Sequence, residues 1–289
     1  MIILIGFFIV TASVFGGFMM AGGHVVTLIQ ISEYVVICGC ALGALVIMSP
    51  KHVLVDLVKQ LISALKGNPY GRASYNELFK ALYELFLLGR RNGMIALEEH
   101  ISNPHSSSIF SKYPSFLADE RAVQLLCDGL RPVIDGKVKP DQLRLLLETE
   151  LQTLEEEHHK PVNVLTRVGD SLPGFGIVAA VLGIVITMGS ISGPIEEIGH
   201  HVAAALVGTF LGVLIAYGFV NPLAVNLEFN GMSKFTYYQS IATSVNGFAG
   251  GMAPVMAVEM ARRGLGDDVR PSAEELESML RTVTAEARP

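Results

Sequence analysis

SLPGFGIVAAVLGIVITMGS, residues 171–190, contains no charged side chain. A helix needs about 20 mostly apolar residues to cross the roughly 30 Å hydrocarbon core of a bilayer, and this run supplies them, with Asp170 just outside. Residues 202–222, VAAALVGTFLGVLIAYGFVNP, form a second such run, again uncharged. Residues 1–21 form a third without charge, and residues 31–50 a fourth with only Glu33 at its edge. A secretory leader would place basic residues before the first block, and residues 2–23 hold no Lys or Arg. The expected fold is an all-α integral membrane protein. Its four transmembrane helices are arranged as two hairpins, with a helical cytoplasmic domain inserted between spans two and three.

The composition agrees with that division. The chain of 289 residues is 51% hydrophobic and 17% charged, below the roughly 25% charge of soluble domains. Expected domain limits are 1–50 (spans one and two), 51–168 (cytoplasmic domain), 169–222 (spans three and four) and 223–289 (cytoplasmic tail). Of the 21 Lys and Arg residues, 15 fall within 51–168 and 6 within 223–289, and the two short connections hold none. Cationic loops stay in the cytoplasm, so the large segment, the tail and both termini are placed inside, and the short loops outside. Lys51 and Arg167 flank spans two and three, where the rule weighs most.

The segment between the hairpins reads as helical. Leu78, Leu82, Leu85, Phe86 and Leu88 recur at helical spacing, as do Leu143, Leu146, Leu147, Leu151 and Leu154. The second of these helices can run straight on into span three; Pro161 could kink it, although proline is tolerated where neighbouring groups re-satisfy the backbone. Glycine and proline beyond residue 263 predict a mobile tail. No basic stripe exists for nucleic acid, and the net charge is −6. Cys38, Cys40 and Cys127 have no disulfide or zinc spacing. His158, His159 and Glu155–Glu157 could suggest a metal enzyme, but adjacent helical histidines diverge by about 100° and no third ligand has suitable spacing. No catalytic or metal site and no cofactor is expected.

Spans three and four differ from simple anchors. Gly176, Ala179, Ala180 and Gly183 share one face of span three. Ala204, Gly208, Gly212 and Ala216 repeat every fourth residue in span four. Small residues at this spacing let helix backbones approach closely, within one chain or around another helix. Span one, with Phe7, Phe8, Phe15 and Phe18, suits contact with lipid. No span places a titratable side chain near its middle, although ion relays normally need one. Hydroxyls do occur, Thr187 in span three and Thr209 in span four, and a lone threonine in a span usually bonds back to its own helix. If the chain conducts ions, the carboxylate must come from a partner helix.

The run from Asp170 to Val185 closely resembles the flagellar stator subunits of the MotA family, which stands in a wider group with ExbB and TolQ. The likeness covers the four spans, the long second loop, Gly-Arg-Arg-Asn-Gly at 89–93 followed by Glu-Glu-His at 98–100, Leu-Val-Gly-Thr-Phe-Leu-Gly-Val at 206–213, and Asn-Pro-Leu at 221–223. Such membership implies a multi-pass inner-membrane protein that forms a ring, thought to be a pentamer, around a peptidoglycan-anchored MotB-like dimer. The partner's spans each supply an Asp that carries the ion. The cytoplasmic domain then pushes on a rotor switch-complex protein.

The same resemblance assigns conformational coupling and ion flow to Pro173 and Pro222, the pathway to Thr209 and Ala180, and the rotor contact to Arg90 and Glu98. Pro173 reads as the first turn of span three, where a missing N–H costs little. Arg90 and Glu98, if on one helix, are separated by about 80° after two turns and can share a side. Sodium-driven relatives tend to carry threonine at the position of Ala180, so its methyl predicts H+ as the translocated ion. A subunit of the ExbB or TolQ type is the alternative, disfavoured by the fourth span.

Overall fold

The computed structural model describes residues 2–286, and every regular element among them is helical. The helices are α1 (Ile2–Met20), α2 (Ile31–Met48), α3 (Lys51–Lys66), α4 (Arg72–Asn92), α5 (Glu98–Ser102), α6 (Pro114–Leu117) and α7 (Glu120–Ile134). They continue as α8 (Pro140–Gly189), α9 (Ile195–Ile215), α10 (Asn221–Ala249), α11 (Pro254–Arg263) and α12 (Ala273–Glu286). Four helical stretches are long and apolar enough to cross a membrane: Ile2–Met20, Val25–Met48, Pro140–Gly189 and Ile195–Ala249. The chain divides into two compact units, one from Met1–Gly67 with Glu157–Asn230, the other from Asn68–Glu156 with Gly231–Pro289.

The first unit is built from the apolar helices. α1 buries no residue, so its greasy surface is left for lipid or another chain. Ile37 and Ala41 of α2 pack with Val168, Leu172 and Ala179 of α8 and with Val207 and Leu211 of α9. A second cluster joins Leu57 and Ala64 of α3 to Val162 and Leu227. The connection between α8 and α9 is tighter than expected, because α9 begins at Ile195 rather than near residue 202. Pro194 ahead of it and Glu196 and Glu197 in its first turn are the residues a helix start favours.

The second unit has one continuous core. Tyr75, Leu78, Phe79, Leu82, Leu85 and Phe86 of α4 are fully buried, with Leu125, Leu126 and Leu130 of α7 and Tyr237, Ile241 and Val245 of α10. Phe86 stacks on Phe248 at 4.3 Å between ring centres. Asp119 caps α7 by accepting from the Ala122 N–H at 3.1 Å. It also accepts from the Tyr70 hydroxyl at 2.8 Å and the Tyr238 hydroxyl at 3.1 Å, which fastens three segments to one carboxylate. Burial pushes the Cys127 thiol up to about 12, so this cysteine behaves as an inert core residue.

Two expectations change here. The tail beyond residue 263 was expected to be mobile, but Leu276, Leu280 and Val283 bury one face of α12 in this core. Tyr83 Oη lies 2.9 Å from Thr284 Oγ1. Their spacing of four and three is the helical signal that the flanking glycines and prolines obscured. Second, α8 runs unbroken through Pro161 and Pro173. Pro173 is therefore not in a first turn: it lies deep in a helix of 50 residues, where its ring removes a backbone hydrogen bond.

Glu259 ties α11 together, accepting from Arg262 Nε at 2.7 Å and Arg263 Nε at 2.8 Å. The Arg262 hydrogen bond, opposed by burial and reinforced by Arg263, holds its carboxyl down at about 2. A depressed carboxyl stabilises the fold above its unfolded value and loses that stability as pH falls through the folded one. Acid unfolding should therefore show a component between the ordinary carboxylate range and about pH 2. Glu259→Gln should flatten that component, as followed by far-UV circular dichroism of the detergent-solubilised protein.

Candidate functional site

The small-residue faces of α8 and α9 meet in the first unit. A Cβ built on Gly176 would lie 2.8 Å from the Gly208 carbonyl oxygen and 3.1 Å from Gly212 Cα. One on Gly212 would lie 2.7 Å from the Leu172 carbonyl oxygen, and one on Gly183 2.8 Å from Ala205 Cβ. Real Cβ atoms do not come this close to backbone, so only glycine permits the crossing. At Gly176 and Gly212 the two helices meet backbone on backbone, too closely for a water or an ion to pass between them there.

Beside this seam lie the residues assigned to the pathway. Ala180 and Thr209 are half-buried, next to the buried Ala179 and Gly208. Thr187 Oγ1 donates to the Gly183 carbonyl at 2.8 Å, the back-bonding usual for a threonine in a span. Thr209 makes no side-chain hydrogen bond among the described residues, so its hydroxyl remains available at the edge of the seam.

The two prolines sit below. Directly after α9, residues Ala216–Val220 form one turn of π-helix, and Asn221 and Pro222 open α10. Pro222 has no N–H to give to a carbonyl four residues earlier, which is the kind of defect a π-bulge absorbs. Asn221 Nδ2 donates to Asp170 Oδ1 at 3.1 Å, while Asn221 Oδ1 is buried without a partner. The stretch leading to Pro173 is thereby tied to the stretch that carries Pro222. The bulge had no sequence signature beyond the proline itself.

Arg90 and Glu98 occupy the second unit. They do not share a helix: α4 ends at Asn92, and Gly93 at φ +88° turns the chain. Only glycine takes this backbone readily. A short 3-10 helix, Met94–Leu97, then leads into α5, which opens at Glu98. Both side chains are exposed, and neither forms an ion pair or side-chain hydrogen bond among the described residues. Leu97 between them is buried against Gly89, so the corner that carries both charges is anchored in the core.

Glu33 lies at the edge of span two, in the first turn of α2, and is 6% exposed, packed inside the first unit. No group of three or more His, Cys, Asp and Glu residues that could hold a metal ion occurs among the described residues. Gln60 Nε2 donates to the His158 carbonyl at 3.3 Å, and a His158 ring nitrogen lies 3.2 Å from the Leu227 carbonyl oxygen, both packing contacts of the first unit.

Comparison with known proteins follows the same outline. A model of the motility protein A N-terminal region matches residues 4–93, and one of the MotA/TolQ/ExbB proton channel family matches residues 118–231. Motility protein A of Escherichia coli (strain K12) is 39% identical over 98% of this chain and 96% of its own length. The chemotaxis protein LafT of Vibrio parahaemolyticus is 35% identical over 96% of this chain and 97% of its own. Among solved structures, a chain of C. jejuni MotAB superposes with a TM-score of 0.76 at 22% identity, covering 94% of this chain and 98% of that one.

Proposed function

The chain belongs to the motility protein A family, and from that premise we propose that it is a stator subunit of a bacterial flagellar motor, lying in the inner membrane with both termini in the cytoplasm. The observation that carries the reading is the near full-length likeness to motility protein A, joined to a span pair whose seam is sealed while Thr209 and Ala180 line its edge. In this reading the chain assembles as a ring, five subunits being the number its family suggests. The ring surrounds the spans of a peptidoglycan-anchored MotB-like partner, whose Asp carries the ion past Thr209 and Ala180. Residues 51–168 form the cytoplasmic domain, and Arg90 and Glu98 meet the rotor's switch protein.

The energetics suit this role. One charge crossing about 150 mV releases roughly 3.5 kcal/mol, enough to bias a two-state rearrangement a few hundred-fold. The two states are attributed to the helices that hold Pro173 and Pro222, where proline has already removed backbone hydrogen bonds. Ala180 offers a passing cation no oxygen ligand, which favours H+ over Na+, since a proton reaches a carboxylate along water.

The test is complementation. Expressed with its partner in a motile bacterium lacking its own stator, the chain should restore swimming, and swimming speed should hold when medium sodium is replaced by potassium. No rescue despite membrane insertion would refute the stator role. Rescue that vanishes without sodium would refute proton drive alone.

A further inference from the structure

Glu33 stands in the first turn of α2, and its carboxyl is turned inward. A Cβ built on Gly208 of α9 would collide with Glu33 Oε2, and the same atom would come within 3.2 Å of Ala179 Cβ and 3.3 Å of the Ala180 nitrogen. The carboxyl thus fills the place a side chain at 208 would take, at a junction of α2, α8 and α9. Gly208 lies seven residues beyond His201, the last polar residue of the outer end of α9. At 1.5 Å per residue that is about 10 Å into the bilayer. Oε2 is buried with no hydrogen-bond partner among the described residues.

A buried acceptor oxygen without a donor costs stability, and within a membrane the cost is several kcal/mol. Intramembrane carboxyls are accordingly functional far more often than structural. This one lies at the Cβ site of Gly208, a point 3.3 Å from the Ala180 nitrogen, and Gly208 is the neighbour of Thr209. We infer that Glu33 is a proton-holding group of the outer half of the pathway, contributed by this chain itself. It takes up a proton from the outer side and passes it inward, along water at the Ala180–Thr209 edge, toward the partner's carboxylate. The proton leaves Glu33 Oε2, giving the carboxylate, and the next proton from outside restores the carboxylic acid, so no other reactant is needed. The inference rests on the reading of Ala180 and Thr209 as pathway residues.

The test uses the whole stator complex, this chain with its partner, assayed for motor speed and for proton flux per assembled complex over external media from acidic to alkaline. Glu33→Gln keeps the size and removes the exchangeable proton. Its flux should match wild type in acidic medium and fall about tenfold in alkaline medium, less than the full contribution of a positioned proton-transfer group because water provides a parallel route. Glu33→Asp should keep part of the alkaline flux. A wild-type pH profile in Glu33→Gln overturns the inference, and so does a loss explained wholly by fewer assembled complexes. A Thr209→Val control separates the two readings. Flux altered there but not in Glu33→Gln overturns this inference alone, whereas flux unaltered in both overturns the pathway reading as well.

Discussion

Gly212→Val should abolish swimming and lower the unfolding midpoint of the detergent-solubilised protein by about 6–12 °C. The first atom of the new side chain would sit 2.7 Å from the Leu172 carbonyl and 2.8 Å from Gly176 Cα. Both are backbone atoms, so no rotamer change relieves the contact and one span must move off the other. Overpacking of this kind costs about 1–3 kcal/mol where neighbours can yield, and here they cannot, so the upper figure applies. For a chain of this size each kcal/mol shifts the midpoint by about 2–4 °C. Gly174→Ala is the matched control. It lies in the same span with nothing within 4 Å of its new methyl, and alanine favours a helix over glycine by about 1 kcal/mol, so its midpoint should hold or rise slightly. If Gly212→Val unfolds with the control, the seam between α8 and α9 does not hold the spans together.

That seam shows which parts of the molecule a sequence exposes. Small residues three and four apart in spans three and four are visible as letters, and hydropathy alone locates the four spans, because crossing lipid leaves so little freedom of composition. What the letters leave open is which faces meet. Gly176 could have received a partner's helix as easily as Gly212, since both arrangements need the same glycines. Glu33 was hidden for a related reason. Two residues from the start of a hydrophobic run, a glutamate is expected to reach for water, and only the absent side chain of Gly208 gives it a place inside. The break between Arg90 and Glu98 depends on the positive φ of Gly93, for which glycine is permissive but not diagnostic. Pro161 does not stop the helix that the sequence lets run on into span three. Its cost is real, yet the apolar stripe of Leu143, Leu147 and Leu151 before it and the apolar span after it are both fixed by packing, and the helix continues between them.

Placed alone in liposomes under a full proton gradient, the chain should pass protons no faster than the bare bilayer, and selective permeation should emerge only when a MotB-like partner is added. The seam between α8 and α9 closes backbone to backbone from Leu172 and Gly212 up to Gly183 and Ala205, so no water file fits between these helices. Glu33 offers one carboxyl about 10 Å from the outer side, which leaves most of the roughly 30 Å core without a group able to take the proton. Moving a bare charge through hydrocarbon of low dielectric costs on the order of tens of kcal/mol, far more than the roughly 3.5 kcal/mol available at about 150 mV. The remaining course is along the half-exposed edge where Thr209 keeps an unbonded hydroxyl, and an edge becomes a conduit only when a second surface covers it. Substituting the partner's intramembrane Asp should therefore return permeation to the level of lipid while leaving Glu33 in place. Full selective permeation by this chain without its partner would mean that a continuous path exists inside one subunit, and would remove the physical reason for assigning the ion to a carboxylate on another chain.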